Sequence, residues 1–151
     1  MESPIWLKYV STFAEVAMAI GIFFAWWQIR ISKKLATTQF EDTMSKEYRE
    51  IISHIPTKAL LGKDLDEDEY SQSLEDLFHY IDLSNEEVFL RQQGRITRET
   101  WINWLDGIKS NLSRPAFKMA WEEIKSHTDD IFLELRRLEA SGFEDDPRHW
   151  G

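Results

Sequence analysis

Three groups of residues have the types and spacing to do chemistry. Glu15 is a single carboxylate inside a long apolar run. Arg91, Arg95, Arg98, Lys109, Arg114 and Lys118 form a basic band in an otherwise acidic chain. Glu75, His79 and Asp82 fall at i, i+4 and i+7, which would put them on one helical face.

Glu15 is informative because of its surroundings. A carboxylate at the depth of a bilayer core costs roughly 3 kcal/mol or more unless it is protonated, paired or facing a cavity. Lys8, Ser11, Thr12 and Ala19 share its face at helical spacing. It is thus protonated and hydrogen-bonded within its own helix, or the helix sits shallower in the bilayer, or Glu15 faces other copies in an oligomer. On an adjoining face Ala17, Gly21 and Ala25 give a row of small residues four apart, the pattern that lets two spanning helices approach closely.

The basic band is the place to which an anionic ligand, an anionic lipid headgroup or an acidic protein partner would be drawn. Residues 91–118 carry net +4, between residues 35–90 at net −10 and residues 119–151 at net −5. The plainer reading is that the band pairs with acidic helices of the same domain or of a neighbouring subunit. For the Glu75, His79 and Asp82 face, a metal is not expected. There is no HExxH, no second histidine at ligand spacing and no cysteine. Nothing resembles a nucleophile elbow, a phosphate loop or a dinucleotide fingerprint, so neither a catalytic residue nor a cofactor is expected.

Composition narrows the classes further. The chain has 151 residues, net charge −9, six Gly, four Pro and no Cys. Disulfides, thiolate metal sites and a cysteine nucleophile are excluded. With a pI near 4.9, duplex nucleic acid is not an expected partner.

These residues need elements to position them. Trp6 to Trp27 is 22 residues, or roughly 33 Å of helix, enough to cross a bilayer core, and Val16–Trp27 is apolar throughout. Trp6 and Tyr9 at one end and Trp26 and Trp27 at the other match an interfacial aromatic belt. Arg30, Lys33 and Lys34 flank the C-terminal end, which by the positive-inside rule puts the N-terminus outside and the rest in the cytoplasm. Residues 1–34 thus read as a transmembrane anchor, 35–142 as a cytosolic α-helical domain and 143–151 as a flexible tail. The fold class is all-α.

Within the domain, Phe40, Met44, Tyr48, Ile51 and Ile55 mark one apolar stripe, on a helix running until Pro56. Residues 63–69 read as an acidic connector, followed by the face of Leu74, Leu77, Phe78 and Ile81. Ser84 and Glu87 form a capping-box pattern with a Leu83–Val88 staple, which predicts a new helix starting there and ending at Gly94. Thr97 predicts another N-cap, with Ile96 stapled to Trp101. Trp101, Trp104, Leu105, Ile108 and Leu112 give the strongest amphipathic signal. Pro115 opens a helix with Phe117, Ala120, Trp121 and Ile124 inside. Thr128 is the expected cap of the last one, which buries Phe132, Leu135 and Leu138 before Gly142.

The stretch from Phe78 to Thr97, followed by Trp101-Ile-Asn-Trp104, together with the Trp-rich anchor, resembles a family of small bacterial membrane-anchored proteins of uncharacterised (domain-of-unknown-function) type. That resemblance implies a one-helix anchor in a bacterial inner membrane and a helical cytoplasmic domain. It transfers no catalytic residue.

The function expected is a non-enzymatic, membrane-anchored helical protein that self-associates and presents a cytosolic binding domain. The alternative is a signal-gated membrane effector, as in a bacterial defence system. There, ligand or nucleotide binding in the cytosolic domain rearranges the anchors and permeabilises the membrane.

Overall fold

The computed structural model describes residues 5–150, the side chains of residues 5–9, 11 and 12 apart. The protein is all-α. Its helices are α1 (Ile5–His54), α2 (Thr57–Leu60), α3 (Glu67–Gln92), α4 (Arg98–Leu112), α5 (Pro115–His127) and α6 (Leu133–Ala140). A 3-10 turn at Pro147–His149 comes after them, and there is no strand among the described residues. The chain divides into two units, Met1–Thr38 and Gln39–Gly151.

In the first unit every described side chain from Phe13 to Ala36 is exposed, including Phe23, Phe24, Trp26, Trp27 and Ile29. By length and composition α1 is long and apolar enough to cross a membrane. Phe23 stacks near Trp26 and Trp27, with ring centroids 6.1 and 6.2 Å away, and the Arg30 guanidinium lies 4.6 Å over the Trp26 ring. Trp6, Lys8, Tyr9, Ser11 and Thr12 lie outside the described side chains.

The second unit is organised by α3, which packs against α4, α5, α6 and the 3-10 turn. Leu77, Tyr80, Ile81 and Val88 of α3 are buried together with Trp101, Ile108, Phe117, Trp121 and Leu135. The Tyr80 and Phe117 rings meet edge to face at 4.9 Å, a favoured aromatic geometry. The apolar spacing on α4, α5 and α6 therefore translates directly into buried faces. Thr97 caps α4, its hydroxyl accepting from the Thr100 N–H at 3.2 Å. Gly94 takes φ +69° just beyond α3, a left-handed conformation that an L side chain adopts only with strain, and a Cβ there would run into the Arg148 guanidinium.

Four expectations are corrected. No helix starts at Ser84, because α3 runs unbroken from Glu67 to Gln92. The Ser84 hydroxyl donates to the Tyr80 carbonyl at 2.9 Å, one turn back inside the helix, and no capping box forms there. The capping box is instead at Asp66 and Glu69, so the end of the acidic segment 63–69 is the first turn of α3, not connector.

Thr128 does not cap the last helix, for it ends α5 and its hydroxyl is buried without a partner among the described residues. The first turn of α6 is capped from a distance: Asn85 of α3 accepts from the Leu135 N–H at 3.0 Å. Phe132 enters that helix with φ 57° and ψ 41°. The Arg136 guanidinium closes the connection by donating to the carbonyls of Ile131, at 2.9 Å, and Thr128. Finally, the segment read as a loose tail makes defined contacts. Pro147 is buried, Asp146 pairs with Arg91, and the Arg137 guanidinium sits 4.5 Å from the half-buried Trp150 ring.

Candidate functional site

On α1, Glu15, Ala17, Gly21 and Ala25 are all exposed. A Cβ added to Gly21 would meet nothing within 4 Å, so nothing packed against it in this chain requires glycine there. The small-residue row is thus an open strip of helix surface. Glu15 has no ion-pair partner among the described residues.

The basic band is not one surface. Arg91 is only 7% exposed and is committed inside the fold, donating to both Asp146 oxygens and to the Ile96 carbonyl. Arg114 donates to the Asn111 side chain, whose amide in turn donates to the Tyr80 hydroxyl at 2.9 Å. Arg95 lies 5.6 Å over the Phe40 ring. Arg98, Lys109 and Lys118 are exposed. Arg91 and Arg114 therefore serve packing, whereas Arg95, itself exposed, belongs with Arg98, Lys109 and Lys118 to the solvated charge of the band.

Glu75, His79 and Asp82 are exposed, and no three candidate ligands among the described residues could hold a metal ion. His79 and Asp82 instead share an open groove with Glu47, Glu50, His54 and Asp76, where His54 Nδ1 stands 3.9 Å from Asp76.

The feature the sequence did not announce lies between α1, α3 and α4 of the second unit. A cavity of about 390 Å³ is lined by Tyr48, Tyr80, Glu87, Trp104 and Ile108, with Ser45, Arg49, Asn103 and Gly107 completing its wall. Tyr48 and Tyr80 meet at a centroid distance of 6.3 Å and an angle of 62°. Glu87 is 6% exposed and has no hydrogen-bond or ion-pair partner among the described residues. Burial first, and then the nearby Glu47 carboxylate, push its pKa up to about 8. Burial also holds the Tyr80 phenol well above its ordinary value.

A signal for this site was present. Tyr80, Ser84, Glu87 and Arg91 recur at i, i+4, i+7 and i+11, a polar stripe on the inner face of α3, and all four are buried. A carboxyl on such a stripe either finds a partner or stays neutral. Arg91 found Asp146; Glu87 looks into the cavity.

Comparison with protein-family models, with curated proteins and with solved structures finds no match.

Proposed function

We propose that this chain is a non-enzymatic, membrane-anchored helical protein that self-associates through α1 and presents a binding domain to the cytoplasm. The observation that carries the reading is the bare helix from Phe13 to Ala36, in which no described side chain is buried. In water so much apolar surface would drive association or aggregation, whereas in lipid it is at home. Arg30, Lys33 and Lys34 favour the cytoplasmic side for residues 35–151, and the resemblance points to a bacterial inner membrane. The open strip of Ala17, Gly21 and Ala25, beside the exposed Glu15, supports a helix–helix contact.

The test is membrane fractionation and then cross-linking of the full chain in membranes. Resistance to carbonate extraction and a ladder of oligomers that shortens in Gly21→Leu support the proposal. Full-length protein in the soluble fraction overturns it.

A second reading, a gated membrane effector, is favoured by one observation, a hollow in the body into which a buried carboxyl faces. Under it, Glu15→Gln alters dye leakage from vesicles without dispersing the oligomer. Equal leakage from both forms, or none, leaves the anchored binding module.

A further inference from the structure

The cavity between α1, α3 and α4 sinks one carboxyl, that of Glu87, among aromatic side chains. We infer that this cavity is a binding site for a small organic amine in its protonated form, gripped by the Glu87 carboxylate, with its apolar body against Tyr48, Tyr80 and Trp104. The inference specifies what the proposed binding domain binds and rests on that reading. Its failure leaves membrane placement and self-association untouched.

Size, wall and sign of charge all point to such an occupant. A volume of about 390 Å³ is ample for a single aromatic or short aliphatic amine. Aromatic rings attract cations through their faces, most strongly where water is excluded. Among the described residues the Glu87 carboxyl accepts from no donor, and an ammonium group supplies N–H donors together with the opposite charge.

The charged neighbours settle the sign. Glu47 of α1 is the neighbouring charge that acts on the Glu87 carboxyl, and it too is an acid, which favours a cationic occupant. Arg49 is exposed, donates its Nε to the Ser45 carbonyl at 3.1 Å and forms no ion pair with Glu87. Tyr48 of α1 and Tyr80 of α3 are phenols, and Asn103 and Trp104 of α4 carry no charge. An anion would find no cation inside this wall beyond the rim guanidinium.

The proton balance gives a signature. Near neutral pH the Glu87 side chain is the acid, R–COOH, because burial favours the neutral form. Binding of R′–NH3+ ionises it, forms the ammonium–carboxylate pair and releases one proton to the buffer.

Isothermal titration of the detergent-solubilised full chain with phenethylamine tests this, with 2-phenylethanol as the neutral isostere and phenylacetate as the anion. Phenethylamine should bind saturably and about tenfold or more tighter than either control. At pH 7, titrations in buffers of different ionisation heat should report release of close to one proton. Glu87→Gln should lose the preference for the amine, and Trp104→Leu should weaken it while keeping proton release, with helical circular dichroism unchanged in both. No saturable heat with phenethylamine, equal binding of the alcohol, preference for phenylacetate, or undiminished binding in Glu87→Gln would each overturn the assignment.

Discussion

Arg91 and Asp146, 55 positions apart in the chain, face each other through two parallel hydrogen bonds: Nε donates to Oδ1 at 2.8 Å and Nη2 to Oδ2 at 2.6 Å. The remaining nitrogen, Nη1, donates to the Ile96 carbonyl at 2.9 Å. One planar guanidinium thereby ties the end of α3, the turn into α4 and the C-terminal segment together.

Removing the carboxylate should hurt more than its surface position suggests. Asp146→Ala leaves the Arg91 guanidinium buried without a counter-ion, at a cost of about 3 kcal/mol. Denaturant unfolding monitored by circular dichroism measures it. The Arg91 hydrogen bonds are the main cause of an Asp146 pKa below the ordinary carboxylate value. Its stabilisation is therefore present above its unfolded pKa of roughly 3.9 and is lost as pH falls through the lower folded value. The variant should lack that part of the acid dependence.

Glu87 should act in the opposite sense. Its folded pKa, pushed up to about 8, lies above the unfolded carboxylate value, so the folded state holds a proton that the unfolded chain gives up. Stability should fall as pH rises from the unfolded pKa towards 8, with a slope of up to about 1.4 kcal/mol per pH unit, and level off above it. Glu87→Gln should flatten this slope and be more stable than the parent at pH 7, on the order of 2 kcal/mol. A Glu87→Gln melting series with an unchanged pH slope would refute the buried neutral carboxyl.

The two residues that compete for the role of α6 cap make a paired test. Asn85→Ala removes the acceptor of the Leu135 N–H and should destabilise by about 1 kcal/mol. Thr128→Val replaces a buried hydroxyl, without a partner among the described residues, by a methyl of similar size and should be neutral or stabilising by about 1 kcal/mol. Chemical denaturation of the two variants side by side distinguishes this from a Thr128 cap, for which the order would reverse.

Thr97 and Ser84 should also part company. Thr97→Ala loses a cap hydrogen bond and costs about 1 kcal/mol, whereas Ser84→Ala sits mid-helix and should change stability by less than about 0.5 kcal/mol. A thermal melt in which Ser84→Ala is the worse of the two would point to a helix start that α3 does not have.

These pairs show which parts of the fold were legible. Thr97, Pro115, Gly94 and Gly142 are legible in the sequence because their effects are local, and the Trp101–Leu112 spacing because burial tracks periodicity. Ser84 misled because Ser-x-x-Glu also describes two residues one turn apart on an inner helical face. The α6 cap was unreadable because its acceptor is 50 residues away, as was the Glu41 carboxylate that accepts from the Thr97 N–H at 2.8 Å.

The candidate site divided similarly. Charge counts along the chain placed Arg91, Arg95, Arg98, Lys109, Arg114 and Lys118 in one band, but such counts are blind to depth. Arg91 is inside and Lys118 is outside. Glu87 was visible only as a member of the Tyr80–Arg91 stripe, and the cavity before it depends on where α1 and α4 lie.

The position of α3 at the centre of the second unit has a consequence for amide exchange. Its middle turns, around Leu77, Ile81 and Val88, are covered by elements that come after it in the chain. Releasing the 3-10 turn or fraying α6 uncovers only part of that face, so no local opening frees those amides. They should exchange with solvent deuterium last, at the rate set by global unfolding, while the amides of the exposed Asp129 and Asp130 exchange first.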